Sequence, residues 1–341
     1  MLTTRQELIL NLIVDDYIDA ATPIASESLA RGHKLGVSPA TIRSDVAALE
    51  EQGYINRPHS SAGSVPADKA YRLYVESVMA DRTDDIPSPA RRAVSRQLSD
   101  VEHDVDAWGN VAAALLAGLA GNMGFATFPK SRESRVRHLE LVPVQGYMAM
   151  LIVVLEQARL RKHLVRMEDP VEASQLETIS QRLRSEMIGL TRREIEAKFM
   201  QLSPMEKGLV EATVLVLKDE DFASRDERYV DGLRNLVSQP EFVDPYKVRA
   251  IVQGVEDGSL VEAILAEEPD GSVIQVIIGH EHAGDVLRPL SVVICKYGIP
   301  GEVDGAVGAV GPTRMAYTKA ISGVKFVASV MNRLVEGAYR G

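Results

Sequence analysis

The chain holds a single cysteine, Cys295, in 341 residues, which excludes an intramolecular disulfide and any multi-cysteine zinc or iron–sulfur site. Long apolar runs are missing too. Tyr147–Leu155 and Val111–Ala120 are the longest, far below the ~20 residues that span a bilayer. Residues 1–20 carry Arg5, Glu7, Asp15, Asp16 and Asp19 and no clean apolar stretch of signal-peptide length, so a cytoplasmic location is expected. Excess positive charge is also lacking. Against 38 Lys and Arg stand 48 Asp and Glu, a formal charge of −10, so the molecule as a whole is not a polycation and any nucleic-acid site must be a local patch. No fixed-period repeat is visible, and neither a Ser/His/Asp arrangement nor a motif of paired carboxylates announces catalysis. The expectation is a protein with no enzymatic activity, no cofactor and no bound metal.

What remains is ordinary globular composition, 45% hydrophobic and 25% charged. At about 150 residues per domain the length suggests two or three domains, since one core of this size is unusual. The first 80 residues alternate short helices with sharp punctuation. Residues 4–20 carry a stripe of Leu8, Ile9, Leu12, Ile13 and Tyr17. Pro23 breaks it, a second helix covers 25–31, and a third runs from an N-cap at Ser38, with Pro39 behind it, to Gly53. A small-residue loop, His59–Ser64, lies between extended pieces, and a fourth helix presents Tyr71, Tyr74, Val75, Val78 and Met79. Residues 81–89, with two prolines, read as a linker. Further on, 90–123 is mostly helical, 136–144, 147–155 and 160–167 suggest an antiparallel meander, and helical periods fill 170–219 and 245–266. Strand texture returns at 272–279, 290–297 and 303–310 before a final helix over 314–336. Strands, then helices, then strands imply a mixed α/β domain with a helical piece inserted.

The strongest constellation spans Ala25 to Arg72. Helix, glycine-containing turn and N-capped helix make a helix-turn-helix, and 54–66 supplies the wing. Ile42, Val46 and Leu49 face a core, which leaves Ala40, Thr41, Arg43, Ser44 and Ala47 outward, small and polar enough for a major groove. Arg43 can grip guanine, Thr41 or Ser44 a phosphate or base, and the Ser38 cap directs helix N–H groups at a phosphate. Arg57, His59, Ser60, Ser61 and Gly63 form the flap beside it, and Lys69 and Arg72 stand ready for phosphates. Six basic residues face four acidic ones over 31–72, a surplus of two. So thin a surplus favours a dimer that joins two weak half-sites. A winged helix that docks proteins instead fits the same pattern.

Other constellations read as structural. His280-Glu281-His282 lacks a third metal ligand and is expected as a solvent-exposed loop. Cys295 sits in an apolar strand as an inert thiol. Gly305, Gly308 and Gly311 mark close-packed backbone rather than a dinucleotide fingerprint. Asp219-Glu220-Asp221 reads as a solvated loop, and Gly311–Met315 as a proline turn before a helix.

The runs Leu2–Gln6, Thr22-Pro23-Ile24, Val37–Arg43 and Pro58–Arg72, with Leu236–Phe242 (LVSQPEF) and Gly311–Met315 (GPTRM), closely resemble the HrcA family of heat-inducible transcription repressors. The likeness spans nearly the whole chain and is loosest over 168–230. It implies a multidomain α+β architecture: a winged helix-turn-helix over 1–80, a linker at 81–89, a GAF-like α/β domain over 90–169 and 244–341, and an inserted helical dimerisation domain over 170–243. The function it implies is repression of chaperone operons by a homodimer on an inverted-repeat operator called CIRCE, with the GroEL chaperonin favouring the active form. The alternative is a winged-helix regulator that senses a small molecule through its GAF-like domain.

Overall fold

The computed structural model describes residues 2–33, 35–58, 62–80, 86–131, 133–156, 159–167, 172–198, 204–223, 227–267, 274–300 and 302–340. Helix α1 (Thr4–Ala20) opens in a capping box: the Thr3 hydroxyl accepts the Gln6 N–H, and the Gln6 side chain accepts the Thr3 N–H. It stops at Ala21, which turns into the left-handed region at φ 52°. Helix α2 (Ser26–Gly32) is short, and Gly36 at φ 69° supplies the turn that follows. Helix α3 (Pro39–Glu51) begins where the sequence placed it. Ser38 Oγ accepts the Thr41 N–H at 3.2 Å, and Pro39 occupies the first turn, where its missing N–H costs nothing. Ile42, Val46 and Leu49 are buried as expected.

Strands β1 (Ile55–Asn56) and β2 (Val65–Pro66) pair antiparallel, with Ile55 opposite Pro66 at the base of the wing. Ile24 and Ser64 exchange backbone hydrogen bonds of 2.9 and 2.7 Å and add a third edge. Gly63 allows this approach, because a Cβ there would lie 2.6 Å from the Pro23 and Ile24 carbonyl carbons. Helix α4 (Asp68–Ala80) buries Ala70, Tyr71, Tyr74 and Val75. The α1 stripe is rotated relative to expectation: Leu10, Val14 and Ile18 are buried with Ile9 and Ile13, while Leu8 is half exposed. Residues 8–14 are apolar at every position but Asn11, so the periodicity left the inward face to tertiary packing.

The chain continues through α5 (Ser88–Asp100), α6 (Val105–Ala120), β3 (Met123–Thr127) and a short β4 (Lys130–Ser131). Next come β5 (Val136–Gln145), β6 (Met148–Leu155) and β7 (Leu160–Arg166), followed by α7 (Ala173–Met187), α8 (Arg192–Lys198) and α9 (Pro204–Ala223). Strand β8 (Arg228–Asp231) precedes α10 (Leu233–Val237), α11 (Pro245–Glu256) and α12 (Ser259–Ala266). Strands β9 (Gln275–Ile278), β10 (Leu290–Ile299) and β11 (Val303–Pro312) lead into α13 (Tyr317–Arg340). Two compact units result, Met1–Thr127 with Arg228–Lys296 and Ala306–Val330, and Phe128–Glu227 with Tyr297–Gly305 and Met331–Gly341.

In the first unit the sheet runs β8-β3-β11-β10-β9, with antiparallel ladders at β8-β3, β3-β11 and β10-β9. Phe125, Val292, Ile294 and Val310 of the sheet share a core with Phe242, Ile251, Leu260 and Ile264. Gly308 is the close-packed backbone that the glycine spacing suggested: a Cβ there would meet the Phe125 ring at 2.4 Å. Cys295 is buried, and burial pushes its thiol up to about 11, which keeps it protonated and inert at neutral pH.

The second unit contains the expected meander, β5-β6-β7. One face, with Leu139, Leu141, Leu151 and Val153, packs on Leu176, Leu183, Ile195, Leu209 and Val216 of the helices α7 to α9. The register aligns Val142, Met150 and Leu164 across the three strands on the opposite face, where Val142 and Leu164 are exposed and Met150 half-buried. Arg159 is buried over the Phe128 ring, 3.7 Å from its centroid, and pairs with Glu220 at 2.8 Å and with Glu227. The acidic run 219–221 is therefore not a solvated loop. It lies in α9, where Glu220 is buried against Arg159 and Arg161, and Asp221 accepts the Ser134 N–H.

Candidate nucleic-acid interface

The outer face of α3 is polar and largely exposed. Ala40, Arg43, Ser44 and Ala47 are exposed and Thr41 half-buried. The Ser38 and Thr41 hydroxyls hydrogen-bond each other at 2.9 Å, so both stand at the helix N-terminus with the first-turn N–H groups. Arg43 has no hydrogen-bond or ion-pair partner among the described residues, so its guanidinium is available to an incoming group. Asp45, by contrast, turns inward. It accepts Arg5 Nε at 2.7 Å and Nη2 at 3.2 Å and is only 5% exposed, so its charge does not oppose an anion on the outer face. Sequence reasoning missed this pair, because residues forty positions apart leave no local signal.

The wing is partly committed. Arg57 Nε lies 3.3 Å from Glu50, and Gly63 abuts the backbone of Pro23 and Ile24. His59, Ser60 and Ser61 lie outside the described residues. On α4, Lys69 is exposed, with Nζ 4.1 Å above the Tyr54 ring and donating to the Gln52 carbonyl at 3.1 Å. Arg72 is turned the other way. It forks onto Glu281, with Nε at 2.7 Å, and donates Nη2 to the Val276 carbonyl at 2.7 Å. Ser38, Thr41, Arg43 and Ser44 thus share one surface, while Arg72 faces the sheet of the first unit.

Two motifs with a structural reading acquire partners. The turn at 280–282 is not an exposed loop throughout: His282 is buried with Nδ1 2.6 Å from Glu267, and Glu281 receives Arg72. Arg314, in the proline turn, donates to Glu241 at 2.7 Å, Gln239 at 2.8 Å and the Ile18 carbonyl of α1 at 2.7 Å. The GPTRM and LVSQPEF runs therefore meet on α1. Among the described residues no cluster of three or more His, Cys, Asp or Glu is arranged to hold a metal, and no helix is long and apolar enough to cross a membrane. An open groove of about 550 Å³ in the first unit is lined by Ala117, Gly118, Val230, Asp231, Leu233 and Arg234.

A DeoR-like helix-turn-helix model matches residues 27–67, the segment that holds α2, α3 and the wing. The HrcA protein C-terminal domain model matches residues 108–321, well over half of the chain. The chain belongs to the HrcA family. It is 37% identical over 339 residues to the heat-inducible transcription repressor HrcA of Dehalococcoides mccartyi, covering 99% of this chain and 97% of that one. Its identity to the HrcA repressor of Chloroflexus aggregans is 34%, with 99% and 94% covered, and to that of Thermomicrobium roseum 32%, with 98% and 95% covered. A crystal structure of a hypothetical protein shares the fold over 99% of this chain and all of the other, with a TM-score of 0.68 at 21% identity.

Proposed function

We propose that this HrcA family member is a heat-inducible transcription repressor that binds the CIRCE inverted repeat as a homodimer, its activity set by temperature and by the GroEL chaperonin. One observation carries the reading: a capped helix, α3, whose inner side is packed and whose outer side offers Thr41, Arg43 and Ser44 to a major groove. Arg43 reads a base edge, Thr41 and Ser44 a base or phosphate, and the Ser38 cap a phosphate. Arg57, His59, Ser60, Ser61 and Gly63 lie along the adjacent backbone or minor groove, and Lys69 holds a phosphate at the end of α3. Arg72, engaged with Glu281, is left out of this contact set.

The sheet of the first unit is the GAF-like domain in this reading, and the body entered after β3 and left before β8 is the inserted dimerisation domain. The uncovered face of β5-β6-β7 supports the latter, because Val142, Leu160 and Leu164 are exposed there beside half-buried Met150, Ile152 and Val154, apolar surface suited to a second copy. Marginal stability of the dimer would then release the operator on heating, with the chaperonin returning the folded form.

A gel-shift titration tests this. A CIRCE duplex is retained at concentrations that leave a scrambled duplex free, affinity falls through the heat-shock range, and added GroEL restores it. Equal retention of both duplexes removes the operator reading, and temperature-independent affinity removes the thermal one. The groove beside α10 favours a second reading, regulation by a small molecule, since its volume suits one. Its polar side chains Asp231 and Arg234 face solvent, however, so it offers a weaker grip than a closed pocket. A metabolite that raises Tm and shifts operator affinity supports that reading, and a metabolite screen without such a compound sinks it.

A further inference from the structure

Asp68 and Arg72 stand four residues apart on one side of α4, and both are received by the turn after β9. The Asp68 carboxylate accepts the His280 backbone N–H at 2.8 Å and lies 2.8 Å from His280 Nδ1. Arg72 grips both Glu281 oxygens and the Val276 carbonyl, and Glu281 is held in turn by the Ile278 N–H at 2.9 Å. Gly279 makes room for the contact: its φ is 52°, and a Cβ would lie 2.2 Å from an Asp68 carboxylate oxygen. Beside this clasp, the Tyr317 ring packs tilted against Tyr71 and Tyr74, with centroids 5.9 and 6.5 Å apart, and the Tyr74 hydroxyl lies 3.3 Å from the Thr318 hydroxyl. Arg314 fastens the end of α1. Aromatic packing rimmed by forked ion pairs is how a defined interface is built. Moreover, α4 starts beyond the base of the wing, at the Ile55–Pro66 pair and not at the loop end of the hairpin, so Arg72 is directed at the sheet.

We propose that Arg72 and Glu281 are positioning residues for operator binding. Their forked pair, with Asp68 and His280 beside it, fixes the angle of the winged helix on the sheet of the first unit, and so the separation of the two recognition helices in a DNA-bound dimer. The inference rests on the operator-binding homodimer proposed above. Its physical basis is that a dimer gains from a second half-site only while the spacing of its readers matches that of the half-sites.

The test uses the full chain with a CIRCE duplex and a duplex carrying one half-site. R72E and E281R each bind the full site about tenfold more weakly than the unaltered protein, a loss within the range of a coupled charge pair. Both keep their half-site affinity, and the double variant R72E/E281R recovers the full-site affinity by re-forming the pair in reverse. Glu281→Gln keeps an oxygen for the Ile278 N–H and gives a smaller loss of the same kind, so a folding defect in E281R does not decide the outcome. A double variant no better than R72E overturns the proposal, as does an equal loss on the half-site, because Arg72 then touches phosphate. Unchanged full-site binding in every variant also overturns it. Unaltered protein that binds neither duplex is a different result: it defeats the DNA-binding reading, and this inference with it.

Discussion

Helices α3 and α4 carry the same kinds of basic side chain within thirty residues, yet their surroundings differ. On α3, Arg43 is exposed and unpaired among the described residues. On α4, Arg72 has two carboxylate oxygens and a carbonyl as partners, and Lys69 has a ring and a carbonyl. A guanidinium left without an internal partner costs little while it stays hydrated, and it forms charge-assisted bonds when a phosphate or base edge arrives. One already forked onto a carboxylate must lose that pair first. Residue type nominates a contact, but the internal partners decide whether it is free to be made.

The largest effect that sharpens this contrast belongs to Arg314, whose guanidinium is shared among Glu241, Gln239 and the Ile18 carbonyl. Arg314→Ala strands Glu241 and the Ile18 carbonyl and is expected to cost about 1.5–3 kcal/mol of stability, the range for hydrogen bonds to charged groups. Urea unfolding followed by circular dichroism measures it. A loss below about 0.5 kcal/mol, the level of an ordinary surface substitution, would mean that these bonds are replaced by water at no cost and would blur the distinction between free and committed arginines. Arg43→Ala comes next and is its mirror image. Operator affinity falls by about 1–3 kcal/mol with discrimination against a scrambled duplex reduced, while Tm stays within about a degree because nothing internal is lost. An equal fall on both duplexes demotes Arg43 from a base contact to a phosphate contact.

Local signals made much of this legible. The Ser38-Pro39 cap, the burial of Ile42, Val46 and Leu49, the three meander strands and the final helix all follow from capping chemistry and periodicity, and the structure has them within a few residues. Strands β3 and β8 escaped notice because they are short, and Gly124 or polar residues interrupt their alternation. The buried face of α1 is not legible in sequence, because an almost uniformly apolar stretch has no period to read. Long-range ion pairs were invisible for a different reason. Arg5–Asp45, Arg72–Glu281, Arg159–Glu220 and Arg314–Glu241 join residues from 40 to 209 positions apart, and a charge in sequence gives no hint of which opposite charge will face it. The surplus of two positive charges over 31–72 does not identify which charges are available either, since Asp45 is turned onto Arg5 and Arg72 onto Glu281.

Lys69 is the intermediate case and gives the smallest expected effect. Its ammonium sits 4.1 Å above the Tyr54 ring and donates to the Gln52 carbonyl, yet the residue is exposed, so it keeps hydration and spare donors. Gln52 closes α3, and a phosphate passing that end of the helix lies within reach of the same ammonium without displacing it from the ring. Lys69→Ala should then lower the slope of log affinity against log salt by about one unit and weaken specific and scrambled duplexes alike, because a phosphate contact carries no sequence information. Lys69→Arg should keep the slope, since the charge remains. If the slope is unchanged in Lys69→Ala while Tm falls, the ammonium belongs to the fold as Arg72 does, and the boundary between the two kinds of cation moves from the start of α4 to the end of α3.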